Sequence, residues 1–271
     1  MALRINYNLA SSSAQRGLAA SQEAYAKQAT RLSTGLRINT ASDDAAGMAV
    51  SEKLKNQVRG LNQAQRNAQD GISLIQTAEG GLTEIHNILG RMRELAVQAN
   101  TDTLAVADRA NLNAEFTQLQ AEVTRIANTV TFNGIALLNA TTSNTLQIGA
   151  NNGDTLAVAA TDNTGVTLAV SSNNVTDLTA AAAAITAIDA AVNTVSTNRA
   201  NFGAQQARLE SISRSIAVAS ENTAAANSRV ADADIAQSMS ELIRAQILQQ
   251  AGISVLAQAN QAPALVLQLL K

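Results

Sequence analysis

From Ala245 to Leu270 the chain carries no charged side chain, yet its apolar residues recur at alternating steps of four and three. Ile235, Met239, Leu242, Ile253, Leu256, Leu267 and Leu270 fall on one such lattice, with Gln246, Gln249, Asn260 and Pro263 at its other points, so the segment reads as a helix with a heptad stripe. Ile247, Leu248, Val255, Leu265, Val266 and Leu269 lie off that stripe. A helix apolar nearly all round has to sit inside something, and a chain of thin helices cannot enclose it alone. A charge-free run of this length also passes the length test for a membrane span. Seven side-chain amides (Gln246, Gln249, Gln250, Gln258, Asn260, Gln261 and Gln268) count against that, because each would need a partner in lipid. In a helix bundle they pair across interfaces. Packing against protein is the expectation, and no membrane partner is expected.

At 271 residues with 46% hydrophobic side chains a thick core would be usual. Much of that fraction is Ala, however, aromatics are 2%, and there is one Pro and no Trp. This composition favours long helices with closely spaced axes and predicts a rod. The net charge of -2 and pI near 5.5 supply no basic field for a phosphate backbone, so no nucleic-acid partner is expected. The absence of Cys removes disulfides, thiol nucleophiles and thiolate metal sites together, which suits work outside the cell. Met1 to Gly17 lacks a basic n-region and an apolar h-region, so no Sec-type signal peptide is expected.

Leu18, Tyr25 and Leu32 are seven apart, with Ala14 at a lattice point between turns. This weaker stripe is a plausible mate for the C-terminal one. Thr34-Gly35 and the polar run Asn39 to Asp44 then break the pattern, with Ser42 or Asp43 placed to cap a new helix. From about Asp44 to Ala99 one stripe runs through Leu54, Val58, Leu61, Ala68, Ile72, Ile75, Leu82 and Leu89, beside a second of Ile85, Ile88, Met92, Leu95 and Ala99. That predicts a single helix about 80 Å long, inside which Gly71, Gly80 and Gly81 cost up to about 1 kcal/mol each unless close approach or a bend requires them.

A third helix follows through Leu112, Phe116, Leu119, Val123, Ile126 and Val130. Asn133-Gly134 is a strong turn dipeptide, and the alternating runs Thr145 to Ile148 and Val166 to Val170 predict β-hairpins. A fourth helix from about Leu178 to Asn227 uses Ile185, Ile188, Val192, Val195, Phe202, Leu209 and Ile216, and Asp232 and Asp234 precede the last helix. The expected fold is mainly α: long antiparallel helices in a rod, terminal coiled-coil helices, and a small β-hairpin-rich tip. The expected segments are 1-42 (N-terminal core-lining helix and linker), 43-138 and 179-231 (two halves of the helical rod domain), 139-178 (β-rich outer tip) and 232-271 (C-terminal core-lining helix).

The stretch RLSTGLRINTASDDAAGMAVSEKLKNQVRGLNQAQRNAQDGISLIQTAEGGLTEI, Arg31 to Ile85, resembles the signature of bacterial flagellin, the flagellar filament subunit. So does QILQQAGISVLAQANQAPALVLQLL from Gln246 to Leu270, and so do ELAVQAN at Glu94 to Asn100 and TFNGIALL at Thr131 to Leu138. Two departures stand out: Pro263-Ala264 where the family usually has Pro-Gln, and Gln206-Ala207-Arg208 in place of its Gln-Asn-Arg. The resemblance implies a short form without large outer domains. It implies a structural subunit that self-assembles into the helical filament for swimming motility, exported unprocessed by the flagellar type III system and located outside the cell. The implied partners are other flagellin subunits, flagellar export chaperones, the filament cap and hook-filament junction proteins. Two alternatives stay open, a hook-filament junction protein and a secreted membrane-active translocator.

The residues expected to pack in a filament core are Leu18, Tyr25, Leu32, Ile235, Met239, Leu242, Ile253, Leu256, Leu267 and Leu270. By resemblance, Arg91, Glu94 and Leu95, with Glu115 on the adjoining helix, match the surface read by the vertebrate flagellin-sensing Toll-like receptor. The blander alternative is a solvated helix face. His86, the only histidine, has no metal-ligand spacing around it, and no H-E-x-x-H, G-x-S-x-G or phosphate loop is present. No enzyme activity, cofactor or metal is therefore expected. Asn139-Ala140-Thr141 and Asn174-Val175-Thr176 match glycosylation sequons by composition alone.

Overall fold

The computed structural model describes residues 8–140, 142–159 and 161–269, the stretch 262–269 by backbone alone. Among these, the elements run α1 (Leu9–Thr34), α2 (Ala45–Ala99), α3 (Val106–Thr129), β1 (Thr131–Phe132), β2 (Ile135–Ala136), β3 (Asn144–Gln147), β4 (Thr155–Val158), α4 (Leu178–Ala231) and α5 (Ile235–Leu269). The fold is mainly α, with two small antiparallel strand pairs. Among the described residues two compact units form: residues 8–56 with 222–269, and those between 57 and 221.

The helix starts follow side-chain chemistry. Asn8 Oδ1 accepts from the Ser11 N–H at 3.1 Å, Asp177 Oδ1 from Ala180 at 2.8 Å and Asp234 Oδ1 from Gln237 at 3.1 Å, each satisfying an amide that the first turn leaves unpaired. At α2 the cap is Asp44, whose Oδ1 accepts from Gly47 at 2.8 Å, and not Ser42 or Asp43. The helix begins one residue later than the polar run suggested. Asp43 turns back instead, and its Oδ2 accepts from the Asn39 and Thr40 amides. Gly35 ends α1 in the left-handed region at φ 71°, its N–H bonding Arg31 O at 2.8 Å.

In the second unit the core is a heptad seam. Along α2 every member of the series Leu61, Ala64, Ala68, Gly71, Ile75, Ala78, Leu82, Ile85, Leu89, Met92, Ala96 and Ala99 is buried, at alternating steps of three and four. Of the two stripes expected for this helix, Leu61, Ala68, Ile75, Leu82 and Leu89 of the first and Ile85, Met92 and Ala99 of the second fall on that row, whereas Leu54, Val58, Ile72 and Ile88 are half-buried off it and Leu95 is buried beside it. Phe116, Gln120, Val123 and Ala127 continue it from α3, and Ala181, Ala184, Ile188, Ala191, Val195, Phe202 and Leu209 from α4. By length and composition α4 is long and apolar enough to cross a membrane, with 28% of its apolar window buried; Ala181, Ala184, Ile188, Ala191 and Val195 are the residues it places in this core.

The excursion between α3 and α4 departs from the sequence expectation in one place. Asn133 and Gly134, at φ 50° and 78°, make the tight turn of the β1–β2 pair as expected, and β3 pairs with β4 from Asn144↔Val158 to Gln147↔Thr155. Val166 to Val170, however, is no strand. Leu168 N bonds Thr164 O, Ala169 N bonds Val166 O, and both Val170 N and Ser171 N bond Gly165 O, which coils the segment into successive turns with Ala169 at φ 56°. Leu168 and Val170 are buried and Val166 is exposed. The alternation therefore reported burial of two side chains, not an extended backbone. Gln120 Nε2 on α3 holds this coil by donating to Val170 O at 2.6 Å and Asn173 O at 2.7 Å.

Gly71 and Gly81 earn their places in α2 through close approach. A Cβ on Gly81 would lie 2.7 Å from Leu138 Cδ1 and 2.9 Å from Val130 Cγ2, and one on Gly71 would run into Leu146. The approaching groups come largely from the segment after α3. Gly80 has nothing within 4 Å of the same position.

Candidate assembly surface

The terminal helices pair antiparallel within the first unit. Asn8 Nδ2 donates to Ala259 O at 2.8 Å and Ser11 Oγ to Asn260 Oδ1 at 2.9 Å. Further along, a Cβ on Gly252 would rest 3.4 Å from Leu18 Cδ1, and Gln28 Nε2 donates to Glu241 Oε2. The covered or half-covered face of α5 is the series Ser238, Leu242, Ala245, Gln249, Gly252, Leu256 and Ala259, again at steps of four and three. Small residues occupy every other point, so the two axes approach closely, as alanine-type seams allow.

This seam shares Leu242, Gln249 and Leu256 with the lattice read from the sequence but leaves out its other half. Ile235, Met239 and Ile253 are 50%, 45% and 54% exposed, and Ile243, Ile247, Leu248 and Val255 are also exposed. On α1, Leu18 and Leu32 are half-buried on the side of the pair, while Tyr25 is 36% exposed. Leu270 and the side chain of Leu267 lie outside the described residues. A helix with apolar groups all round offers two candidate seams. Contact with α1 selects the one whose small residues admit a close neighbour and turns the larger Ile and Met residues outward.

The linkers at the base of this pair are stitched together. Arg37 N donates to Ala231 O at 2.7 Å, Ala233 N to Gly35 O at 2.9 Å and the Arg37 guanidinium to Val230 O at 2.7 Å. Leu36 and Asp232 face each other as an antiparallel bridge. Lys27 Nζ on α1 meets Asp43 Oδ1 at 2.7 Å. That ammonium, together with the Asn39 and Thr40 amides, holds the Asp43 carboxyl well below the usual carboxylate range, against a smaller opposing effect of burial.

In the second unit, Arg91 Nε donates to Glu115 Oε1 at 2.9 Å and its Nη1 to Glu94 Oε2 at 3.0 Å. The three side chains form one exposed charged cluster joining α2 and α3, and the carboxylates raise the Arg91 pKa, Glu115 most. Leu95 does not share this surface. It is 1% exposed and packs in the core. Arg93 turns to α4 and bonds Asp189 at 2.7 Å. His86 is half-buried, its Nδ1 buried without a hydrogen-bond partner. Sequence reasoning missed the Arg93–Asp189 pair and the stitched linkers, because neither has a periodic or motif signature.

The comparisons with known proteins agree with this architecture. The model of the bacterial flagellin N-terminal helical region matches residues 5–143, and that of the flagellin C-terminal helical region matches residues 185–270. A flagellin of Halalkalibacterium halodurans is 49% identical over 98% of this chain and 99% of its own length, and one of Bacillus subtilis is 43% identical over 99% and 100%. Among solved structures, Bacillus cereus flagellin superposes with a TM-score of 0.52 at 35% identity, covering 56% of this chain and 88% of that one. A putative flagellar hook-associated protein of Vibrio parahaemolyticus reaches 0.60 at 13% identity, over 70% and 100%, which is likeness of fold alone. With both helical regions matched and full-length relatives close to half identical, the chain belongs to the bacterial flagellin family.

Proposed function

We propose that this chain is a structural subunit that self-assembles into the helical flagellar filament outside the cell and so serves swimming motility. The observation that carries the reading is the uncovered apolar surface of α5. Ile235, Met239, Ile243, Ile247, Leu248, Ile253 and Val255 are 45–60% exposed on a helix with no charge from Ala245 to Leu269. Covering seven such side chains, each already about half covered, is worth on the order of 5–10 kcal/mol at about 25 cal/mol per Å². That is of the same order as the roughly 4–15 kcal/mol that association costs. These groups lie on both sides of the α1 seam, so one twofold partner would leave one side in water. Copies stacked through unlike faces cover both.

In this reading residues 1–42 and 232–271 line the filament core, with Leu18, Tyr25 and Leu32 on the N-terminal helix and Ile235, Met239, Leu242, Ile253, Leu256, Leu267 and Leu270 on the C-terminal one. Export unprocessed through the flagellar type III channel, chaperones that shield the C-terminal helix, and contacts with the filament cap and hook-filament junction proteins follow from the family. Arg91, Glu94 and Glu115 supply a charged surface suited to the flagellin-sensing Toll-like receptor, with Leu95 beneath them as support.

Negative-stain imaging of the purified chain after salt-induced polymerisation tests the assignment. Long filaments are expected. Rings or no polymer would favour a junction protein, and liposome leakage without filaments a membrane-active translocator.

A further inference from the structure

The surface of α5 that faces away from α1 has two unlike flanks. At 100° per residue, Ile235, Met239, Ile243 and Ile253 gather on one flank as a ridge, each 45–54% exposed. On the other flank α5 and α1 leave an open groove of about 350 Å³, walled by Ala20 and Ala24 of α1 and by Ala245 and Leu248 of α5. Its charged groups, Glu241 and Arg244, are near neighbours on α5. Glu241 accepts from the buried Gln28, whose own Oε1 is buried with no partner.

The geometry points to a heterologous contact in which the Met239–Ile243 ridge of one copy enters the Ala20–Ala24–Leu248 groove of the next. The inference rests on the filament reading and specifies which faces meet. Three observations favour a second copy as the occupant. The groove walls stop at Cβ on three of their four apolar positions, which leaves room for branched or long aliphatic side chains of the kind the ridge presents. The ridge residues themselves are uncharged, and Glu241 and Arg244, which lie between and beside Met239 and Ile243 in sequence, belong to the groove flank, so the ridge side chains bring no charge to be desolvated against the alanines. Ridge and groove lie on opposite flanks of one helix pair, so filling one groove presents a fresh ridge, and the contact propagates without closing. A ridge-to-ridge dimer would leave every groove empty.

The chain has no Cys, so introduced thiols report contacts without background. Ala24→Cys/Ile243→Cys and Ala24→Cys/Met239→Cys are assembled under reducing conditions, imaged, then mildly oxidised and run on a non-reducing gel. The expected result is a ladder of covalent trimers, tetramers and higher species from at least one double variant, with the single variants remaining monomeric. Intact filaments that give no ladder in either variant would overturn the ridge-and-groove contact while leaving the filament assignment standing. Covalent dimers from Ile243→Cys alone would overturn it in favour of a ridge-to-ridge contact. Failure of the unmodified chain to polymerise at all would overturn the filament reading itself. As a second measurement, Ala24→Leu fills the groove from within. Helical content of the free chain should be unchanged while the critical concentration for assembly rises at least tenfold, and an unchanged critical concentration would contradict the proposal.

Discussion

Lys27 and Asp43 join α1 to the linker that follows it through an ion pair of 2.7 Å, in which the Asp43 side chain is 13% exposed and that of Lys27 47%. Because the folded state holds the Asp43 carboxyl below its ordinary value, the carboxylate is stabilising above the unfolded pKa of about 3.9 and the contribution fades as pH falls from there toward the folded value. Protection of the linker amides around Asn39 and Thr40, taken as exchange relative to the intrinsic rate at each pH, should therefore fall below about pH 4. Asp43→Asn should abolish that acid-dependent change. An Asn variant whose protection still falls with the same pH profile would place the titration elsewhere.

Neighbouring glycines in α2 should respond to alanine in opposite directions. Gly80→Ala meets open space, so the helix-propensity gain of up to about 1 kcal/mol should appear as added stability in urea. At Gly81 the new methyl runs into Leu138 and Val130, and Leu138 is fully buried. Overpacking of about 1–3 kcal/mol then outweighs the same propensity gain. Equal midpoints for the two variants would mean that the core yields more easily than its packing implies.

A similar contrast holds at Gly252 and Ile253. Gly252 faces Leu18 across the α1 seam, so Gly252→Leu should push the helices apart and lower the helical content of the free chain. Ile253 is 54% exposed, so Ile253→Asp should leave the free chain folded. In a polymer it would place a charge where an apolar side chain was buried, raising the critical concentration by tenfold or more, the equivalent of about 1.4 kcal/mol. Circular dichroism and sedimentation of assembled material separate the two effects.

At the charged cluster, Arg91→Ala removes the link to both Glu115 and Glu94. Exposed ion pairs of this kind add little to stability, so thermal unfolding should barely move, whereas activation in a reporter cell line bearing the receptor should fall. Undiminished activation by the variant would remove these residues from the recognition surface.

Much of the helical architecture was legible in the sequence because its signal is long. Thirty-nine residues of α2, Leu61 to Ala99, repeat one burial period without a slip, and such a run leaves little room for another assignment. The α5 seam was only half legible. Where apolar residues surround a helix the pattern has no contrast, and the choice between two lattices depends on which one carries the small residues that a partner helix can approach. Val166 to Val170 shows a different limit, because five residues of alternation cannot outweigh local turns closed by Gly165. The polar contacts were not legible at all. Asn163 is fully buried and accepts from Asn198 Nδ2 at 2.8 Å, a pairing of two amides 35 positions apart that no periodicity announces.

The stitched linkers carry a mechanical consequence. With Gly35 and Arg37 bonded to Ala233 and Ala231, the interruptions in the outgoing and returning strands of the chain share one joint. A torque applied to either terminal helix is passed straight to the other, so α1 and α5 are expected to transmit load as a double member, neither shearing past the other while those bonds hold.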